Sequence, residues 1–206
     1  MSKRRVVITG LGCVTSLAES VHDFFAALCE ARSGISFIES FDTSTYPVRF
    51  AGEVKTFDVT KYVDRREGKR MDRFTQFAIA AASQAVEDSG LDFSTEDVFR
   101  AGVVIGTGIG GIKEIEDQHI KLLDKGPAKV SPFCVPRLMA NAGSGNVAIQ
   151  YGLRGPNFCV LSACASGNHA IGEAYANIVA RRSDIMVTGG AEAALTPVGL
   201  ASFCAA

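Results

Sequence analysis

The chain has 206 residues, 47% of them hydrophobic, and a formal net charge of −1. That length suits one large domain or two small ones, and near-neutral charge gives nucleic acid no general attraction. The longest apolar runs fall far short of the roughly 20 residues a membrane helix needs.

The amino terminus reads Met1-Ser-Lys-Arg-Arg-Val-Val-Ile-Thr-Gly10. Its basic start mimics a signal peptide, but a secretory core needs about 7–15 apolar residues. Only Val6 to Ile8 precede the glycine turn, so the cytoplasm is the expected compartment. Arg5 to Thr9 is β-branched and predicts a strand ending at Gly10-Leu11-Gly12. Ser20 to Glu30 places Val21, Phe24, Phe25 and Leu28 on one helical face. Residues 31–60, with Pro47 and Gly52, predict loops and one short strand. Asp72 to Asp88 carries Phe74, Phe77, Ala78, Ala81, Ala82 and Ala85 on one stripe, a buried helix stopped at Gly90.

Ala101 to Ile105 predicts a second strand, Ile112 to Leu123 a helix, and Leu138 to Tyr151 another. Asn157 to Ser162 predicts a third strand, Ala165 to Arg181 a third long helix, and Ile185 to Thr188 a last strand before Gly189-Gly190. Strands alternate with helices, which favours an α/β layered fold with a largely parallel sheet. The chain stops at Phe203-Cys-Ala-Ala206 with no capping residue or polar tail, which reads as a cut through an element.

Six cysteines occur, none in a Cys-x-x-Cys pair. A chain of this length needs no disulfide staples, and most cysteines of this kind are small buried hydrophobes. Cys164 stands apart. In Phe158-Cys-Val-Leu-Ser-Ala-Cys164-Ala-Ser-Gly-Asn-His169 a hydrophobic strand runs straight into small residues, with the cysteine at the strand-to-helix corner. Free amides and the dipole at a helix start favour an anion, and thiols so placed carry more thiolate, the nucleophilic form. Ala163, Ala165, Ser166 and Gly167 leave room for a substrate. On these residues alone, Cys164 is either a nucleophile or a structural thiol. His169 is not its base: five residues along a helix turn a side chain away by about 140°. A backbone-bonded structural histidine is expected there, with His22 and His119 solvated.

Gly106, Gly108 and Gly111 match G-x-G-x-x-G after a strand and before a helix, which opens a reading as an NAD(P)-dependent oxidoreductase using the Gly106–Gly111 turn. No acidic residue closes a second strand about 20 residues on, so a tightly packed turn is favoured. Between Lys61 and Arg73, six basic residues (Lys61, Arg65, Arg66, Lys69, Arg70, Arg73) face three acids (Asp64, Glu67, Asp72), a local charge of +3. The segment is either a solvated face or a landing site for an acidic partner.

Taken together, Val6-Val-Ile-Thr-Gly-Leu-Gly, Arg70-Met-Asp-Arg-Phe, Gly106-Thr-Gly-Ile-Gly-Gly, Ser131-Pro-Phe-Cys-Val-Pro, Gly155-Pro-Asn, Ser162-Ala-Cys-Ala-Ser-Gly and Thr188-Gly-Gly-Ala-Glu resemble the elongating β-ketoacyl-acyl-carrier-protein synthases of the thiolase-like condensing enzymes. The resemblance covers the whole chain, residues 1–206, and the cysteine motif is its most specific part. It implies a thiolase-like fold, layered α-β-α-β-α in the full enzyme. Here that fold is represented by one incomplete amino-terminal half, a mixed, largely parallel sheet flanked by helices.

The resemblance also implies roles. Cys164 would accept an acyl group from acyl-carrier protein, its own N–H forming one arm of the oxyanion hole. Ile109 would gate the acyl pocket, with Cys134 (from the partner subunit) and Phe203 at its far end. Cys134 stands where many relatives carry a larger side chain, so a longer pocket is possible on this resemblance. Arg66, Lys69 and Arg70 would meet the acidic carrier, and strand 157–162 would pair with its twin in a homodimer. The reaction implied is a decarboxylative Claisen condensation with malonyl-acyl-carrier protein, extending the chain by two carbons in fatty acid biosynthesis. In that family the second stage uses two histidines, a lysine and a glycine-phenylalanine loop of the carboxy-terminal half, none of which is in this chain. The chain alone is therefore expected to be inactive in condensation and poorly stable, because buried helices would expose apolar faces. A remnant that only dimerises or docks carrier protein is the non-enzyme alternative. No cofactor or metal is expected.

Overall fold

The computed structural model describes residues 4–206; Met1-Ser2-Lys3, part of the basic start, lies outside them. Helix α1 (Val21–Cys29) begins at Ser20, whose hydroxyl accepts the Asp23 N–H at 3.1 Å. A two-stranded antiparallel ribbon follows, β1 (Ser36–Phe37) with β2 (Phe50–Ala51), where the sequence had suggested one short strand. After a 3₁₀ turn at Val59–Lys61 comes a short helix, α2 (Arg65–Gly68), and then α3 (Arg73–Ser89). The stripe on α3 is buried through Phe74, Ala78, Ile79 and Ala82. The helix ends at Gly90, whose φ of 68° lies in the left-handed region that glycine enters without steric penalty.

The remaining elements run β3 (Ala101–Gly106), α4 (Ile112–Lys125), α5 (Cys134–Leu138), α6 (Ala142–Tyr151), β4 (Asn157–Val160), α7 (Ser166–Val179), β5 (Ile185–Gly190) and α8 (Pro197–Ala205). Strands β4, β3 and β5 form one sheet in that order, every pair parallel. The central strand β3 is buried throughout, as expected of a strand covered on both faces. Period-two alternation sends Ala101, Val103 and Ile105 into a core with Met71, Ala78, Ile79 and Ala82 of the α3 region and Val147 and Ala148 of α6. Helix α7 covers the opposite face. The α/β architecture expected from alternating strands and helices is therefore present; antiparallel pairing is confined to the separate β1–β2 ribbon.

Two local expectations fail, each for a tertiary reason. Arg5 to Thr9 forms no strand, because it has no ladder partner among the described residues. The segment after it runs along α3: the Leu11 N–H donates to Asp88 Oδ2 at 2.8 Å and the Cys13 N–H to Gln84 Oε1 at 3.1 Å. Its start is tied to the sheet by Arg4, which pairs with Asp184 together with Arg100; these guanidinium groups, Arg100 foremost, hold the Asp184 carboxyl well below the usual carboxylate range. Second, residues 138–151 are not one helix. The Gly111 N–H takes the Leu138 carbonyl at 3.1 Å, and Met139 leaves the helix with ψ of 133°, so α5 and α6 are separate. The last residues, for which the sequence names no element, form a helix, α8, with Pro197 in its first turn and Thr196 as its cap.

Helix α7 turns its small residues Ser166, Ala170 and Ala174 toward the sheet and leaves Ile171 and Tyr175 exposed. Leu161, Val198 and Phe203 are exposed as well. Among the described residues, no helix is long and apolar enough to cross a membrane.

Candidate active site at the carboxyl ends of the strands

The three parallel strands point their carboxyl ends the same way, where open α/β sheets hold their ligands. Each end runs into a glycine-rich or small-residue turn, and the three turns are bonded together. The Thr107 N–H donates to the Val160 carbonyl at 3.2 Å, joining β3's end to β4's, and the Ala191 N–H donates to the Gly106 carbonyl at 3.0 Å, joining β5's end to β3's.

Beyond β4 the chain makes a 3₁₀ turn, Ala163–Ala165, that leads directly into α7. Ala163 adopts φ of 52°, a left-handed conformation that is strained for a residue with a Cβ. One buried hydroxyl fixes this corner. Ser166 Oγ accepts the Ser162 N–H at 2.9 Å and faces two carbonyls, Ala163 O at 2.7 Å and Thr107 O at 3.0 Å, to which its single proton can be donated. The glycines make the seat. A methyl on Gly106 would lie 2.2 Å from the Ser166 carbonyl oxygen, and one on Gly190 would lie 3.0 Å from Gly167 Cα. Ser166 and Gly167 therefore serve helix-on-sheet packing, and the room for substrate expected from them is not there.

Cys164 is exposed at the crest of this corner. Its N–H donates no hydrogen bond among the described residues, while those of the next two residues, Ala165 and Ser166, go to Ser162 O and Ala163 O. An accessible thiol thus sits beside a free amide at the start of a helix, the pairing that a nucleophile with an oxyanion donor requires. His169 is exposed and makes no side-chain hydrogen bond among the described residues, so the backbone bond expected of it is absent. His22 and His119 are exposed, as expected.

Ile109 lies on the neighbouring turn. A methyl on Gly108 would come within 3.8 Å of Ala163 Cα, so the turn faces the Cys164 corner across a gap about one methyl wide. The Gly108 and Ile109 amides both donate to Glu192 Oε2, at 2.6 and 3.1 Å. The Gly110 N–H donates to Thr107 Oγ1 at 3.2 Å, Gly111 to Leu138 O, Ile112 to Gly110 O, and Glu114 to Asp72 Oδ2 at 3.2 Å. Two carboxylates, one hydroxyl and two carbonyls therefore hold the amides that a pyrophosphate would need. The dinucleotide reading of the Gly106–Gly111 turn fails on this observation.

The other candidates sit on separate elements. Cys134 opens α5 and is half-buried; Phe203 stands exposed on α8. Neither is joined to the Cys164 corner by a hydrogen bond. Arg66 and Lys69 are exposed and have no ion partner among the described residues. Arg70 is engaged: its guanidinium bonds Glu67 Oε1 at 2.8 Å and lies 5.2 Å from the Phe133 ring centre. Arg73, counted in the basic run, turns inward between the Phe57 and Phe77 rings and bonds the Val54 carbonyl at 3.2 Å. The sequence names Ser166 only as a small residue beside Cys164 and Glu192 only as the end of the Thr188-Gly-Gly-Ala-Glu stretch; their bonds, to partners 59 and 84 residues away, are not visible in it.

The cysteines should separate in reactivity. Burial pushes the Cys13 and Cys159 thiols up, which leaves less thiolate at neutral pH. Iodoacetamide at pH 7 is expected to label Cys164 before Cys13 and Cys159 in the folded chain, read by peptide mass mapping; equal rates would remove the distinction.

Residues 3–206 match the family described as the β-ketoacyl synthase N-terminal domain. The 3-oxoacyl-[acyl-carrier-protein] synthase 2 of Synechocystis sp. is 47% identical over all 206 residues, which cover 50% of that relative. The protein of the same description from Vibrio cholerae is 49% identical over the same span and share. Among solved structures, the ishigamide ketosynthase/chain length factor superposes with a TM-score of 0.92 at 30% identity, covering 99% of this chain and 51% of that one. The chain thus spans about half the length of the curated relatives it matches. With its sequence matched almost end to end and its strand-end corner built around an exposed cysteine, the chain belongs to the β-ketoacyl synthase family, in the region of its amino-terminal domain.

Proposed function

We propose that Cys164 is the acyl acceptor of a 3-oxoacyl-acyl-carrier-protein synthase of fatty acid biosynthesis. The observation that carries this reading is the exposed Cys164 thiol beside its own unbonded amide at the start of α7. The thiolate attacks the thioester carbonyl of an acylated carrier protein. The oxyanion that forms takes a hydrogen bond from the Cys164 N–H, and the bond to the carrier sulfur breaks. The carrier leaves as its thiol, with the proton Cys164 gave up, and the acyl group stays on Cys164. In the complete reaction malonyl carrier protein then loses carbon dioxide. Its carbanion attacks the acyl-cysteine, returning free Cys164 and a β-ketoacyl carrier protein two carbons longer. This chain contributes the acyl-holding half of that sequence and does not condense by itself.

In this reading Ile109 gates the acyl pocket, and Cys134 of a second copy and Phe203 bound its far end. The second copy pairs along residues 157–162. The position of β4 at the edge of the sheet supports this, because its outer backbone groups have no ladder partner among the described residues. Arg66, Lys69 and Arg70 receive the acidic carrier; the exposure of Arg66 and Lys69 without ion partners supports that role.

Docking through charge predicts a split between donors. Reversing both free cations (Arg66→Glu with Lys69→Glu) should slow acylation from octanoyl carrier protein about tenfold or more at low salt, because surface charge acts on the encounter rate. Acylation from a carrier-free thioester, S-octanoyl-N-acetylcysteamine, should be unchanged. Intact mass against time reads both. Equal slowing with both donors, or no slowing with either, would contradict carrier docking at this face.

A further inference from the structure

We propose that Glu192 is a positioning residue that latches the Gly108–Ile109 turn beside Cys164, and that entry of the acyl chain depends on that latch. The proposal rests on the reading of Cys164 as acyl acceptor. Its physical basis lies in the bonds themselves. A single oxygen, Glu192 Oε2, accepts both the Gly108 N–H at 2.6 Å and the Ile109 N–H at 3.1 Å. Two adjacent amides aimed at one point form an anion nest, and charge-assisted bonds to it are about twice as strong as neutral ones.

The latch spans the site. Glu192 follows the end of β5, the turn follows β3, and Gly108 faces Ala163, the residue before Cys164, so that a methyl on Gly108 would lie 3.8 Å from Ala163 Cα. One carboxylate thereby ties the ends of two strands together beside the corner of the third. The turn's other flank is fixed by backbone, since a methyl on Gly110 would lie 3.0 Å from Leu138 O and one on Gly111 would lie 2.5 Å from Arg137 O. Among the described residues, the Glu192 side is the only flank of the turn held by a flexible side chain that reaches solvent. Ile109, 43% exposed, stands on the part of the turn that this side chain holds.

Gly108 gives an independent handle on the same contact. A methyl there would lie 2.8 Å from Glu192 Oε2, and the residue has no left-handed φ. Gly108→Ala therefore displaces the carboxylate while leaving Glu192 in place, and it should reproduce Glu192→Ala.

The test compares the wild-type chain with Glu192→Ala, Glu192→Gln, Gly108→Ala and the Gly108→Ala/Glu192→Ala double variant. Three rates are measured: amide hydrogen exchange of the peptide spanning 107–112, acylation of Cys164 by S-octanoyl-N-acetylcysteamine, and alkylation of Cys164 by iodoacetamide. Loss of two charge-assisted bonds should speed exchange and change octanoyl transfer by about tenfold in Glu192→Ala and in Gly108→Ala. Alkylation by the small reagent should stay within about twofold, since only a chain-bearing donor must pass the turn. Glu192→Gln, which keeps a neutral acceptor, should fall between. The double variant should be no worse than either single, because both remove one interaction.

Unchanged exchange in Glu192→Ala, or acylation and alkylation altered by the same factor, or additive losses in the double variant would each overturn the proposal. If the wild-type chain takes no acyl group at all, it is the acyl-acceptor reading that fails. The latch is then decided by exchange and its non-additivity: fast, non-additive exchange upholds the anchored turn, and unchanged exchange removes it.

Discussion

Replacing Gly106 by alanine should lower the melting temperature by about 2–12 °C and abolish acyl transfer to Cys164, two effects of one displacement. The added methyl would stand 2.2 Å from the Ser166 carbonyl oxygen, 2.4 Å from its carbonyl carbon and 2.9 Å from its Cβ. Two of those are backbone atoms, so no rotamer change relieves the clash. Either the first turn of α7 lifts off the sheet or β3 shifts, and β3 is the central strand with every residue buried. Overpacking of this kind costs about 1–3 kcal/mol. At roughly 2–4 °C per kcal/mol for a chain of this size, the melting range follows. Lifting α7 also breaks the Ser166 hydroxyl away from Thr107 O, at 3.0 Å, and with it the link that holds the Cys164 corner to the end of β3. A melting scan and an intact-mass acylation assay read both effects. A variant that melts with wild type and acylates at its rate would show that the close approach of α7 to β3 has no part in shaping the site.

Arg137→Ala should destabilise the chain by about 3 kcal/mol at neutral pH, at the lower end of what breaking a buried pair costs, because Arg137 is 26% exposed. Its guanidinium bonds Glu114 Oε2 at 2.7 Å, and Glu114 is 1% exposed. The other Glu114 oxygen has no partner, so removing Arg137 leaves a buried charge with nothing opposite. Asp72 lies in the same cluster, capping α3 through the Phe74 N–H and accepting the Glu114 N–H. Burial raises its carboxyl above the ordinary value of 3.8, opposed by those two amides and by Arg137.

The sign of the pH effect follows. A carboxyl raised in the folded state binds a proton there that the unfolded chain releases. Stability therefore falls as pH rises from near 3.8 through the folded value. Arg137→Ala removes an attraction that restrained this rise, so the fall steepens. The gap between variant and wild type should be widest near pH 8 and narrow toward pH 4.5, read by thermal melts at both. A gap that widens on acidification would contradict the assignment of Arg137 as the counter-charge.

What the sequence disclosed and what it withheld divide by the range of the interaction. The α3 stripe, its stop at Gly90 and the strands β3 and β5 depend on local period and punctuation, and those are visible in one stretch of chain. The strand-to-helix corner that carries Cys164 was legible for the same reason: strand, small residues and helix are consecutive there. Arg5 to Thr9 has the composition of a strand, but a strand exists only with a partner. Here the amides just beyond it are taken by Asp88 and Gln84 of α3. The break between α5 and α6 answers to the Gly111 amide, far back in the chain, and no periodicity reveals it. The bonds of Glu192 and Ser166, and the Glu114–Arg137 pair, join residues far apart in the chain and become visible only once the fold brings the partners together. Arg73 shows the converse, a residue whose charge suggested a surface and whose neighbours Phe57 and Phe77 draw it inside.

The glycine turn is a case where sequence and structure answer different questions. Its spacing fits a phosphate cradle, and its amides do converge as a cradle requires. The converging Gly108 and Ile109 amides are taken from within the chain by Glu192, so the geometry that suggested a nucleotide serves an internal contact instead.

The most direct measurement is peptide-mapped mass spectrometry of the chain after incubation with octanoyl carrier protein. One octanoyl group on the peptide containing Cys164, and none on Cys164→Ala, is the predicted result. Octanoyl spread over several cysteines, or retained at the same level in Cys164→Ala, would contradict the assignment of Cys164 as the acyl-bearing residue.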